Sequence, residues 1–269
     1  MTEMHWREVP EPIRPRPSAA DLLRRETRED SCEIHGPFTS ERFLNIWSRC
    51  PKCTDERAQK LEQDRLEYEA KQAAIRLQQR IAAVGIPPRF ADKTLDIYLA
   101  ETDAQRVALE VSQGYVRDFP ENLKAGRCLG FLGRPGTGKT HLACGIGAAL
   151  AHARYQARYT TVIDYIRTVR ETWKRESGRS EAEVIREYTN YHLLILDEVD
   201  VQFGSDGELT QLTDLVDRRY RELKPTLVIS NCDPEGLERF LGPRAVDRLR
   251  ENGGRTVVFD WKSWRGRKP

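Results

Sequence analysis

Residues 54–84, TDERAQKLEQDRLEYEAKQAAIRLQQRIAAV, contain neither glycine nor proline, and the apolar positions Leu66, Ala70, Ala73, Leu77, Ile81 and Val84 recur three or four apart. That period predicts one long helix, because side chains at those offsets share a face. Its charges balance, so a solvated connector between two modules fits it better than a dedicated coiled coil, which needs sustained heptads. Gly85 and Pro87-Pro88 then stop it. After Asp92 the pattern changes. Short apolar runs, RCLGFL, RYTTVI, HLLILD, PTLVIS and RTVVFDW, alternate with helical stretches beginning near Gly138, Ile163, Ser180, Glu208 and Asp233. Such alternation predicts an α/β domain, a five-stranded parallel sheet covered by helices. Ser180-Glu181-Ala182-Glu183 has the spacing of a capping box at one of those helix starts.

The first 30 residues are different in kind. Pro10, Pro12, Pro15 and Pro17 stand among arginines and glutamates, a composition with little to bury and a backbone fixed at every proline. The expected organisation is therefore a flexible arm (1–30), a small module (31–53), a helical linker (54–84) and the α/β domain (85–269). The formal net charge is +2 over 269 residues, so no global basic field announces a nucleic-acid partner, and any such surface must be local. The opening MTEMHWR has no apolar run of signal-peptide length, and nowhere do about 18 apolar residues run together. The expected location is the cytoplasm, with no membrane partner. Cys128, Cys144 and Cys232 fall singly in apolar or motif-adjacent stretches and are read as buried thiols in a reducing compartment.

Gly133-Arg134-Pro135-Gly136-Thr137-Gly138-Lys139-Thr140 matches G-x-x-x-x-G-K-[ST] between an expected strand and an expected helix. In that context glycines let successive backbone N–H groups turn inward around a phosphate. The lysine reaches the β- and γ-phosphates and the threonine hydroxyl serves Mg²⁺. ATP and Mg²⁺ are the expected cofactors, with His141 directly beyond the loop. The run LLILDE ends in Asp197 and Glu198. An acid at the carboxyl end of a buried strand can join Thr140 in holding Mg²⁺, and the next acid can orient or deprotonate a water, which favours ATP hydrolysis over small-molecule kinase chemistry. Asn231 ends the next strand, where its amide could bond the γ-phosphate or the attacking water; a plain strand-ending turn is the other reading.

Cys32-Glu33-Ile34-His35 and Cys50-Pro51-Lys52-Cys53 are two short knuckles separated by 14 residues. Two residues between ligands let the chain turn tightly enough to aim both at one tetrahedral ion, so Cys32, His35, Cys50 and Cys53 are the expected Zn²⁺ ligands. Four protein ligands close the site, making it structural. So small a segment has little core, and zinc would supply much of its folding free energy. Phe38, Phe43, Ile46 and Trp47 are expected to pack around the ion or meet a partner.

With these pieces in order the chain resembles the AAA+ ATPases, and within them the DnaC/DnaI-type loaders of the replicative helicase, the IstB-type transposition ATPases standing close by. The resemblance covers about Gly85 to Arg265. It is carried by GIPPRFADKTLDIY, GRPGTGKTHLA, LLILDEVDVQ, LVDRRYRELKPTLVISN, LGPRAVDRLRENGG and VVFDWKSWR, each weak alone and specific in this order. It implies that Arg248 is an arginine finger acting on a neighbouring subunit's ATP, with Arg244 the alternative. It further implies that Arg265 contacts nucleotide in its own chain and that Arg89 and Phe90 lie near the adenine, Phe90 having a plain core role as its other reading. A DnaB-like helicase hexamer is the implied partner, bound through the amino-terminal module, with self-association through the AAA+ domain. In this group the element following the second strand of the sheet meets single-stranded DNA. Arg170, Trp173, Lys174 and Arg175, with Arg179 nearby, supply cations and a stacking face there. Glu171, Glu176 and Glu181 dilute that charge, so a solvated helix with a buried tryptophan is the competing reading. The implied function is ATP-dependent loading of the helicase onto single-stranded DNA. Its rivals are an IstB-like transposition helper and a non-hydrolysing adaptor.

Overall fold

In the computed structural model, residues 26–265 are described apart from 44, 175 and 202–205. Most of the expected arm and Arg175 therefore lie outside the described residues. By its internal packing the chain divides into two compact units, one up to Gln72 and one from Ala73.

The first unit has a sheet that the sequence pattern did not announce. Strands β1 (Glu26–Cys32), β2 (Gly36–Phe43) and β3 (Ile46–Trp47) pair antiparallel in that order. Its first strand takes in Glu26–Asp30, which composition alone had assigned to the arm. No side chain of β1 is buried and only Ser40 of β2 is. The strands thus show no alternation of apolar and polar positions by which they could be recognised. Ser40 Oγ donates to the carbonyl of Ser48 at 2.7 Å, and Arg28 lies over the Trp47 ring, 4.4 Å from its centroid. The long helix α1 runs Pro51–Val84; it starts three residues before the expected 54 because proline is well suited to a first helical turn.

The second unit holds a five-stranded sheet: β4 (Leu129–Gly133), β5 (Ala157–Thr161), β6 (Leu193–Asp197), β7 (Thr226–Ser230) and β8 (Arg255–Phe259). The spatial order is β5-β6-β7-β4-β8, and every pairing is parallel. Helices α2 (Asp103–Arg117), α3 (Phe119–Ala125) and α4 (Lys139–His152) join one core, which takes Leu193 and Ile195 from β6. The other core takes Leu194 and Leu196 and is built with α5 (Val162–Glu171), α6 (Glu181–Asn190), α7 (Asp206–Arg221), α8 (Leu237–Leu241) and α9 (Pro243–Arg250). Burial on both faces explains why β6 and β7 read as continuous apolar runs. One expected strand, RYTTVI, ends early: the Thr161 side chain accepts from Asp164 N and caps α5, so Val162 and Ile163 turn helical. The capping box at Ser180 is present in full.

Arg219 of α7 is wholly buried and has no carboxylate ion-pair partner among the described residues. Its guanidinium donates to the carbonyls of Tyr188, Thr189 and Tyr191 at 2.7, 2.9 and 3.1 Å, to Pro225 O at 2.5 Å and to Thr226 Oγ1 at 3.0 Å. It thereby satisfies carbonyls at the carboxyl end of α6, which no helical N–H can reach, and ties them to the start of β7. We expect Arg219→Met to lower unfolding free energy by on the order of 3 kcal/mol in urea titration, because several buried acceptors lose their donor together. A loss under about 1 kcal/mol would mean that water takes the guanidinium's place.

Candidate functional site

Because the sheet is parallel, the carboxyl ends of β4, β7 and β6 lie along one edge. At the end of β4 the loop from Gly133 to Gly138 turns through positive φ at Gly133, Gly136 and Gly138 (121°, 75° and 99°). A Cβ on Gly133 would collide with the Phe259 carbonyl, and one on Gly138 would stand 2.8 Å from the Tyr98 ring. Backbone freedom and close approach both require glycine here.

Lys139, the first residue of α4, is buried and its ammonium has three acceptors: Gly133 O at 2.6 Å, Arg134 O at 2.7 Å and Asn231 Oδ1 at 3.1 Å. Burial lowers the lysine's pKa, with Arg265 adding to the effect and Asp197 and Asp200 opposing it. Asp197, at the end of β6, accepts from Thr140 Oγ1 (3.0 Å) and from the Tyr159 hydroxyl (2.8 Å) on Oδ2, and from Glu198 N (2.7 Å) on Oδ1. Burial still holds its carboxyl above the usual aspartate range. Glu198 has φ +56°, a left-handed conformation costly for a side chain with a Cβ and concentrated at functional sites. Its carboxyl is pushed above the usual glutamate range by burial and by the neighbouring Asp197 and Asp200 carboxylates.

Asn231 bridges the site. While Oδ1 faces Lys139, its Nδ2 donates to Asp200 Oδ2 at 3.1 Å and its backbone N–H to Asp200 Oδ1 at 2.8 Å. Trp261 Nε1 donates to Thr137 O at 2.9 Å, Trp264 N to Gly136 O at 2.8 Å and Arg134 N to Phe259 O at 2.8 Å. The chain after β8 thus folds back on the loop. A cavity of about 530 Å³ opens here; Arg89, Phe90, Pro135, Gly136, Lys139, Thr140, His141, Asp197, Glu198, Asn231 and Arg265 all line it. Tyr159, Asp200, Trp261 and Trp264 were not singled out from sequence. Asp200 had a signal, an acid three residues beyond Asp197 and just past an apolar strand. Tyr159 had none, since a tyrosine in a strand reads as core.

Two expected groups stand outside this cavity. Arg248 pairs with Asp217 and lies 5.0 Å from the Tyr220 ring centroid, while Arg244, more exposed, is 3.8 Å from the same aspartate. In the segment after β5, Trp173 is 61% exposed and its indole donates to Glu181 at 2.7 Å. It is therefore a surface aromatic and not a core one. Lys174 is exposed, Arg170 donates to the fully buried Glu208 at 2.8 Å, and Arg179 pairs with Glu187. Of the lone cysteines Cys144 is buried, whereas Cys128 and Cys232 are only partly so, a correction to the expectation of three buried thiols.

In the first unit Cys32 ends β1, His35 follows in the turn, Cys50 precedes α1 and Cys53 sits in its first turn. Their ligand atoms all lie within 4.8 Å of one another. Four spacings are 3.3 Å (His35 Nδ1 to Cys53), 3.5 Å (Cys32 to Cys53), 3.7 Å (His35 Nδ1 to Cys50) and 3.9 Å (Cys32 to His35 Nδ1). A tetrahedral ion with bonds of about 2.0–2.3 Å requires edges of roughly 3.3–3.8 Å; three of these spacings fall in that range and the fourth, Cys32 to His35, lies just above it, so the set is compatible with zinc. His35 Nε2 lies 2.9 Å from Glu56, a carboxylate that can orient the imidazole toward an ion.

The profile of the IstB-like ATP binding protein family matches residues 67–244. The replicative helicase loader DnaC of Escherichia coli strain K12 is 33% identical over 199 residues, 74% of this chain and 80% of that protein. DnaC of Buchnera aphidicola subsp. Schizaphis graminum is 31% identical over 248 residues, 91% of this chain and 95% of that protein. Among solved structures, the crystal structure of the DnaC helicase loader superposes with a TM-score of 0.58 at 23% identity, covering 65% of this chain and all of that one. AMPPCP-bound DnaA from Aquifex aeolicus gives 0.54 at 23% identity, covering 66% of this chain and 52% of that chain. These superpositions speak for the AAA+ fold alone. No helix among the described residues is long and apolar enough to cross a membrane.

The purified protein is expected to carry zinc. Glu56→Gln, which leaves all four ligands in place, should weaken zinc affinity about 10–100-fold in competition with a chromophoric chelator. Unchanged affinity would detach Glu56 from the site.

Proposed function

The chain belongs to the IstB/DnaC-like family of ATP-binding proteins, and from that membership we propose that it is an ATP-dependent loader of a hexameric DnaB-like replicative helicase onto single-stranded DNA. The observation that carries this reading is the 33% identity to a replicative helicase loader across 80% of that loader's length.

Within it the loop Gly133–Thr140 and Lys139 take the phosphates, and Arg89 and Phe90 border the adenine. Thr140 and Asp197 would hold Mg²⁺, which supplies charge neutralisation on the phosphates. Glu198 orients and deprotonates the attacking water; Asn231, held by Asp200, donates an Nδ2–H hydrogen bond to the γ-phosphate or to that water. Arg265 stabilises phosphate charge from its own chain, and Arg248 does so from a neighbour, so that hydrolysis depends on assembly. Arg248 must first leave Asp217, which makes its delivery conditional on contact between subunits. Trp173 and Lys174 are the contacts for single-stranded DNA. The zinc module meets the helicase: Phe43 and Ile46, paired across β2 and β3, are 77% and 75% exposed and form an apolar surface suited to a protein partner, and Ile34, 78% exposed, stands at the turn at the other end of β2. The family's IstB name supports a second reading, an ATPase assisting transposition on duplex DNA.

Glu198→Gln should reduce the ATP turnover rate at least about 100-fold while ATP affinity is nearly unchanged, since it removes a base and no phosphate contact. An unaffected rate would move the base elsewhere. The function itself is tested by size exclusion with light scattering, the full chain mixed with its host's replicative helicase, with and without ATP. We expect a joint complex that is lost when Ile34, Phe43 and Ile46 are changed together to serine. No complex in either condition, with ATP-dependent binding to duplex DNA, would favour the transposition helper.

A further inference from the structure

A second cavity, of about 630 Å³, lies at the opposite edge of the sheet from the nucleotide cavity and shares no lining residue with it. Ala157, which lines it, pairs with Leu193 at the first positions of β5 and β6, whereas the nucleotide cavity sits at the strands' carboxyl ends. One wall is a face of α1: Arg76, Gln79, Arg80 and Ala83 follow the i, i+3, i+4, i+7 spacing that stacks side chains on one side of a helix. The other walls are the turn from α4 into β5 and the end of α6.

Its charge is one-sided. Arg76, Arg80 and Arg154 line the cavity, and none of the three has an ion-pair or hydrogen-bond partner for its side chain among the described residues. Beside them Arg158 donates from Nη1 to the carbonyl of the lining residue Ala83 at 3.3 Å, and the Nε atoms of both Arg80 and Arg158 are buried without an acceptor. The lining has one carboxylate, Glu187, and its oxygens are engaged by Arg179 and by the Tyr191 hydroxyl. Like charges gathered around a recess with donors left over destabilise the chain until an anion enters. Arg154 carries a second sign of use. It has φ +67° just after α4, where glycine would relieve the strain, yet the position holds a guanidinium.

The space is far larger than a bare phosphate ion needs and comparable with the cavity at the nucleotide loop. Tyr155 and Tyr191 give it ring surface, and the side-chain amides of Gln156 and Asn190 give it donors and acceptors. We propose that this cavity binds a nucleoside phosphate, with the phosphate held by Arg76, Arg80 and Arg154 and the base set against the tyrosines and amides. Two sources present that chemistry, a free nucleotide and a residue of a single strand passing the domain. The inference stands on the cavity itself and does not rest on the proposed function.

Hydrogen exchange is measured on the full chain with millimolar dTMP and, separately, with a fluorescein-labelled oligo-dT of 15 residues, whose affinity is followed by anisotropy. We expect slowed exchange at 151–158 and 185–191. Arg80→Gln with Arg154→Gly should weaken binding of the protecting probe at least about 10-fold and flatten its salt dependence, with ATP affinity kept. Because glycine suits the backbone at 154, a held urea midpoint separates lost binding from lost folding. Protection by dTMP assigns a free nucleotide, and protection by the oligonucleotide alone assigns a strand; either supports the proposal. Trp173→Ala distinguishes the surface contact, since it should leave protection at 151–158 intact. No protection with either probe, equal affinity in the double variant, or protection by a polyglutamate peptide alone would overturn it.

Discussion

The parallel pairing of β4, β7 and β6 is the constraint from which the nucleotide site follows. In that register Leu132 stands beside Ser230, which brings Gly133 level with Asn231, and Leu196 beside Val228, which brings Asp197 level with Ile229, two residues before Asn231. Gly133, Asn231 and Asp197 are far apart in the chain and are brought to one edge of the sheet by this pairing. An antiparallel arrangement would send one of the three to the opposite edge. The connection from β4 runs past two positions to β5 and returns strand by strand to β7. This leaves a crevice of the kind in which open α/β sheets place their ligands.

A second dependence sits on top of the first. The segment after β8 is joined to the phosphate loop by bonds to Phe259 O, Thr137 O and Gly136 O. Two of those acceptors are loop carbonyls, which would otherwise point at solvent or at the phosphate. Turning them toward Trp261 and Trp264 frees the N–H side of the loop for an anion. Arg265 follows Trp264 directly, so the bond that shapes the loop also brings this cation to the cavity. Its nearness is felt at Lys139, whose charged form it disfavours.

How much of this was legible in the chain depended on whether the physics was local. The phosphate loop, the acids closing β6 and the Cys32, His35, Cys50 and Cys53 cluster announce themselves, because their chemistry is fixed by short spacings. β6 and β7 were legible because double-sided burial leaves an unbroken apolar run, whereas β5 carries Arg158 and β8 is largely exposed, and these two were marked by their place in the alternation with helices. By contrast β1 and β2 carry hardly any buried side chains, and so no pattern marks them. Asp200 and Tyr159 act through partners on other strands, at Asn231 and Asp197, which no local spacing reveals. Thr161 shows the limit from the other side: β-branched residues continue past it, and a single cap bond overrides them.

The cations near the expected DNA contact can be ranked by what holds them. Glu208 is wholly buried, and Arg170 is its charged donor. Withdrawing that guanidinium toward a phosphate would break a charged hydrogen bond to a carboxylate that water cannot reach, which costs stability. The 42% exposed Arg170 side chain is therefore better placed to add field than to change partners. Arg179 is paired with Glu187 on the surface, where exchange for a phosphate costs little. Lys174 is exposed and the exposed Trp173 donates its indole bond to the partly buried Glu181, so both can be redirected. The segment is thus divided between a residue committed to the fold and neighbours free to meet a strand, and exposure alone would not have separated them.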